Sequence, residues 1–102
     1  MAATRRLTAA VKAEVTADYN GLPHGRITEQ DGDAHVFIVG LTELEAWLLA
    51  LHGRITRQPA GPGVTLWTLH TTTDTHDGTP VHVHTLALDT EEADATITAA
   101  VA

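Results

Sequence analysis

The sequence predicts an α+β fold in which an antiparallel sheet of four to five strands carries two helices. Three observations lead there. Two Asp-Gly pairs, Asp31-Gly32 and Asp77-Gly78, each sit between strand-like runs, a strong two-residue hairpin signal because both turn positions need positive φ. Each hairpin is followed by a helix-start pattern, Thr42 with Glu45 and Asp89 with Glu92, in which a cap and an acidic residue three positions on satisfy free backbone N–H groups. The chain has 102 residues, 43% of them apolar and 19% charged, the size and composition of one globular domain over 1–102.

Residues 7–19 fit two periods. Leu7, Val11, Val15 and Tyr19 recur every four residues, as in a helix, whereas Val11, Ala13, Val15, Ala17 and Tyr19 alternate with other residues, as in a strand. The unbroken alternation favours an extra N-terminal strand over 11–19, with a helix as the alternative. Strands are expected over 26–30 and 34–40. A helix follows over 42–53, with Leu44, Trp47, Leu48 and Leu51 as its inward stripe and Ala46, Leu49 and Ala50 as a second. Gly53 supplies a left-handed stop, and Arg54 and Arg57 suit the negative end of the helix dipole. The run RQPAGPGVT, 57–65, reads as a Pro/Gly linker. The second hairpin comprises arms 64–76 and 80–88, and a helix from Asp89, with Ala93, Ile97 and Val101 inward, completes the chain.

Strand 34–40, helix 42–53 and strand 64–71 are expected to form a crossover with parallel strands. Strand 80–88 fits between those two strands, and strand 26–30 lies outside strand 34–40. This ββαββα order is a ferredoxin-like sheet permuted so that its usual last strand comes first.

A two-residue turn at Asp77-Gly78 sets Thr71 against His84 and Thr73 against His82, with His70 on the other face and His76 beside the turn. Of the four histidines between Leu69 and His84 only His82 and His84 then converge, and these two are the candidate metal ligands. Their threonine neighbours ligate poorly, so a third ligand would have to come from the hairpin tip or another chain. The arm 64–76 would reach about 40 Å at roughly 3.3 Å per residue, beyond the ~30 Å diameter of such a domain. Residues 71–80 are therefore expected to project as a hairpin tip. Apolar residues on the second sheet face, Val64, Leu66, Val81, Val83 and Ala87, together with the second stripe of the helix, point to a homodimer. Leu49, Thr71, Thr73, His76, Val81 and Val83 are the candidate interaction residues.

With 13 acidic and 6 basic residues the formal charge is −7, which disfavours nucleic acid and anionic membrane surfaces as partners. Protonating the seven histidines would bring that charge to 0, so solubility is expected to fall as pH drops through about 6.5. The chain has no cysteine, which removes disulfides and thiolate chemistry. It has no serine either, which removes a Ser/His/Asp triad, and no phosphate-binding glycine pattern. The N-terminal residues carry no signal-like or membrane-spanning apolar run, so a cytoplasmic protein is expected.

The function these features favour is a small acidic, non-catalytic interaction or regulatory module acting as a homodimer without a cofactor, an adaptor of phage, plasmid or toxin-immunity type being one form of it. The alternative is a small histidine-dependent enzyme or metal-binding protein near the 64–88 hairpin. That alternative uses His82, His84 and either His35 or Asp74, or a pocket lined by Trp47, Trp67 and His35.

Overall fold

Hydrogen bonds at both ends make the N-terminal segment a helix rather than the expected strand. The computed structural model describes residues 8–73 and 78–102, and its first element, α1, spans Ala9–Asn20. Thr8 Oγ1 accepts from Val11 N at 3.2 Å, and the Glu29 carboxylate accepts from Ala9 N, placing negative charge at the positive end of the helix dipole. At the other end Gly21 adopts φ 64, and Gly21 N and Leu22 N donate to Asp18 O and Ala17 O, closing the last turn. The buried stripe is small: Ala9, Ala13, Thr16 and Ala17. Val11, Val15 and Tyr19, whose bulk suggested alternation, are exposed.

The first hairpin forms as its turn predicts. β1 (Ile27–Gln30) and β2 (Asp33–Phe37) pair antiparallel, and Asp31 and Gly32 take φ 53 and 84. The next helix, α2 (Gly40–Leu51), begins before Thr42, with Val39 as an N-cap that makes no side-chain bond. Glu43 Oε1 instead accepts from Val39 N at 3.1 Å. Glu45, expected to answer a Thr42 cap, hydrogen-bonds the Asp94 side chain, which raises the Glu45 carboxyl and lowers that of Asp94.

The segment read as a linker contains a strand. β3 (Arg54–Gly61) pairs with β4 (Val64–Thr72) along its length, with a register shift between Pro59 and Gly61. Pro59 is tolerated because β3 is an edge strand, where one missing N–H costs no ladder bond on the free side. Ile55, fully buried, fixes the strand to the core. Then come β5 (Pro80–Leu88) and α3 (Ala95–Ala100). The cap of α3 is Asp94, whose side chain accepts from Ile97 N at 3.2 Å, so the terminal helix is shorter than a start at Asp89 implies.

The strands lie in the order β1-β2-β5-β4-β3. As expected, β5 sits between β2 and β4, and β1 lies outside β2. The sheet is nevertheless mixed, because β2 and β5 are parallel while the other pairs are antiparallel. The reason is β3: one further strand between α2 and β4 reverses the chain once more, so α2 crosses to the far edge and β4 runs opposite to β2. The α+β class holds and is compatible with a ferredoxin-like arrangement, but the element order is αββαβββα rather than ββαββα. α1 packs over β1 and β2, α2 over β5 and β4, and α3 beside β3. Their side chains and the inward face of the sheet form one apolar cluster that includes Ala13, Val36, Leu44, Trp47, Ile55, Leu69, Val83 and Ile97.

The second hairpin departs from its expected register, and the departure shapes everything on the outer face. Observed pairs are Trp67 with Thr85, Thr68 with His84, His70 with His82 and Thr72 with Pro80, and Thr73 N donates to Thr79 O at 2.9 Å. His82 thus faces His70 rather than Thr73, a slip of three residues. An odd slip exchanges the faces of one arm relative to the other. With the turn at Asp77-Gly78, whichever face was buried would carry either His70 or both His82 and His84 into the core. The observed register buries Trp67, Leu69, Val81, Val83, Thr85 and Ala87 together and turns every one of those histidines outward. Core burial has overruled the local turn preference. Residues 74–77, with Asp74, His76 and Asp77, lie outside the described residues; they are four of the ten residues of the expected 71–80 tip.

Gly53 joins α2 to this sheet at φ 129, where an added Cβ would stand 2.3 Å from the His70 carbonyl oxygen. Both the backbone conformation and the close approach exclude a side chain. Gly53→Ala is expected to cost on the order of 3 kcal/mol, read as a lower denaturation midpoint in urea.

Candidate functional site

Strand alternation sorts the sheet into a face beneath the helices and a face that no described helix covers. The ladder pairs place Asp33, His35 and Phe37 of β2, His82, His84, Leu86 and Leu88 of β5, Val64, Leu66, Thr68 and His70 of β4, and Arg54, Thr56 and Gln58 of β3 on this open face. It has two ends. At one end Leu86 and Leu88 are 60% and 57% exposed and Phe37 44%, and a groove of about 540 Å³ runs between Phe37, Val39, Leu66, His84 and Leu86.

At the other end four imidazoles meet. His35 lies beside His82 across the parallel ladder and His82 opposite His70 across the antiparallel one, while His84 follows His82 on the same side of β5. The His35 ring stacks on those of His82 and His84 at centroid distances of 4.9 and 5.2 Å, and His70 meets His82 edge-on at 5.1 Å. Two hydrogen-bonded chains result. In the first, Thr56 Oγ1 lies 2.7 Å from His70 Nε2, His70 Nδ1 lies 2.9 Å from His82 Nδ1, and His82 Nε2 lies 2.9 Å from Asp33 Oδ2. In the second, Thr68 Oγ1 lies 2.9 Å from His84 Nδ1, and His84 Nε2 lies 2.9 Å from His35 Nδ1.

The first chain has a defined proton order. The Asp33 carboxylate only accepts, so His82 Nε2–H donates to it. With both rings neutral, His82 Nδ1 is then an acceptor, His70 Nδ1–H donates to it, and the Thr56 hydroxyl donates to His70 Nε2. In each chain one nitrogen of the facing pair must be bare, so each pair of imidazoles holds at most one added proton before two N–H groups confront each other.

Burial pushes the His84 ring down to about 4, helped by the neighbouring His35, His82 and His70 rings. Burial also lowers His70, with His82 and then Arg54 adding to the effect. These are the shifts expected of basic groups removed from water beside other basic groups.

The residues expected to function are distributed as follows. His82 and His84 do share a face, with rings 6.5 Å apart, but they join a four-histidine network instead of forming an isolated pair. Among the described residues no three His, Cys, Asp or Glu side chains form a group that could hold a metal ion. Val81 and Val83 are fully buried beneath the helices, which removes them from any docking surface; the true register puts their odd-numbered side in the core. Thr71 lies on that same side with Oγ1 3.2 Å from Leu51 O, and Thr73 is buried. Leu49 is 59% exposed on α2. The Trp47, Trp67 and His35 pocket does not assemble. Trp47 is fully buried with Nε1 donating to Pro23 O at 2.7 Å, Trp67 lies under Arg57 on the helix side, and His35 is on the opposite face. Sequence reasoning missed His70, Thr56, Thr68 and Asp33 as members of one network. The signal was available in parity: His70, His82 and His84 are all even-numbered, and only an even pairing keeps every one out of the core.

Compared with known proteins, the chain matches no family model, no curated protein and no solved structure.

The lowered His84 value sets a pH window. Above about pH 6.5 the ring is neutral in both folded and unfolded chains and contributes no pH dependence. Between about 6.5 and about 4 only the unfolded chain binds the proton, so stability falls as pH falls and levels off below the folded value. Full conversion at about 1.36 kcal/mol per unit is reduced by solvent screening of a half-exposed ring, leaving roughly 1–2 kcal/mol. Urea denaturation from pH 7.5 to 4.5 is expected to show this loss in the natural protein and a shallower one in His84→Gln.

Proposed function

We propose that the chain is a non-catalytic binding module that associates with a second copy of itself through the open face of its sheet. The observation that carries this reading is the apolar strip of Phe37, Leu66, Leu86 and Leu88 on a face no described helix covers. An apolar patch of this kind, rimmed by polar side chains, is characteristic of an interaction site.

Charge favours a second copy as the occupant. The whole chain carries a formal −7, so two copies repel over most of their surfaces. Among the described residues, Asp33 and Arg54 are the charged side chains that the strand registers place on the open face, and they balance. Apposing this face to itself about a two-fold axis is the approach with least repulsion, and it makes the same strip both donor and receptor of the apolar contact. Strands of 4, 5, 8, 9 and 9 residues, at about 3.3 Å per residue and about 4.8 Å apart, give a face of roughly 550 Å². Two such faces together bury about 1,100 Å², at the lower end of specific interfaces. α1 lies on the opposite face, so it leaves this surface free. The binding role assigned to exposed Leu49 is then secondary, since α2 lies on the far side.

Light scattering at pH 7.5 and about 50 μM is expected to give twice the chain mass, and Leu86→Glu is expected to weaken association by about 100-fold, as for a central apolar contact. Leu86 is exposed in the single chain, so its replacement should leave the denaturation midpoint nearly unchanged. A natural protein that remains a single chain at that concentration contradicts the reading.

A further inference from the structure

The four-histidine network lies on the same face as the apolar strip and is continuous with it. Phe37 stacks on His84 at 5.4 Å, and His84 also lines the groove beside Leu66 and Leu86. Any copy seated on the strip therefore covers His84. Resting on the self-association described above, we propose that the network makes this interface acid-releasable: proton uptake by the clustered imidazoles separates the two copies while each chain stays folded.

The groups that face the cluster define the proton balance. From β2 come Asp33, against His82, and His35, against His84. From β3 come Thr56, against His70, and Arg54, paired with His70 in the ladder. From β4 come Thr68, against His84, and His70, against His82. β1 places Thr28 beside His35. At neutral pH, Asp33 and Arg54 cancel, and the face is uncharged. Each imidazole pair accepts one proton with its N–H to N bond intact, so the free face can reach two positive charges without rearrangement.

In the associated state those charges would lie against the same charges on the other copy, out of water. The associated form thus binds fewer protons than two separate chains, and acid favours separation by linkage. If each chain takes up one proton on release, the dissociation constant rises by up to about 100-fold per pH unit within the window of uptake. Bulk charge predicts the opposite sign. Protonating the histidines moves the chain from −7 toward 0, which by itself lessens repulsion and tightens association. The two effects are therefore separable by direction alone.

The test is sedimentation equilibrium of the whole chain at pH 7.5 and 4.5, with circular dichroism at both values. The expected result is association at pH 7.5, a dissociation constant at least about 10-fold higher at pH 4.5, unchanged dichroism, and a change below about 3-fold in the double variant His82→Gln with His84→Gln, which breaks both imidazole pairs. The double variant His35→Gln with His70→Gln serves in its place should that one not fold. Glutamine keeps a donor and an acceptor at each position but does not titrate. Association that is equal or tighter at pH 4.5 overturns the inference while leaving self-association standing. Full weakening in the glutamine variant, or loss of the dichroism signal at pH 4.5, also overturns it. A single chain already at pH 7.5 removes both the interface and its control.

Discussion

The pairing of His70 with His82 across β4 and β5 is the contact on which the rest of the outer face depends. Side chains alternate along a strand, so the register of this hairpin decides which residues enter the core and which reach solvent. The observed register satisfies the core first. Leu69, Val81 and Val83 are fully buried with no imidazole among them, a result the two-residue Asp77-Gly78 turn could not deliver. Burying one imidazole without partners costs a few kcal/mol, more than the preference among turn types. Excluding the histidines from the core concentrates them outside it, and the network is a by-product of a well-sorted interior.

Concentration then creates its own physics. Four rings on three adjacent strands leave few nitrogens unpartnered, and threonines and one aspartate close the chains at their ends. Such a network is stable with neutral rings and tolerates one added proton per imidazole pair, because every nitrogen-to-nitrogen bond needs one bare lone pair. Burial first, and the neighbouring rings second, hold His84 and His70 below the ordinary histidine value. The apolar strip and the imidazoles share one face of the sheet, and in the association proposed for the chain this couples its proton balance to its packing.

Much of this architecture was legible in the residues. Asp31-Gly32 announced its hairpin, Leu44, Trp47 and Leu48 announced α2, and handedness with connection length placed β5 between β2 and β4. Three features were hidden for physical reasons. α1 buries alanines, which carry almost no periodic signal, while its bulky Val15 and Tyr19 point outward. β3 contains Pro59, which argues against an interior strand but not against an edge. The hairpin register was hidden because a local turn signal competed with a core requirement that becomes visible only when both faces are written out. The site suffered most from this last error, since a three-residue slip separated His70 from His82 and assigned the buried Val81 and Val83 to a surface.

His70 and His82 share a hydrogen bond in a fixed proton order that ends on Asp33. Nitrogen-15 spectra of the imidazole rings at pH 8 test it most directly, because they report which nitrogen of each neutral ring carries the proton. The expected result is His70 protonated at Nδ1 and His82 at Nε2. Both rings protonated at Nε2 would contradict it.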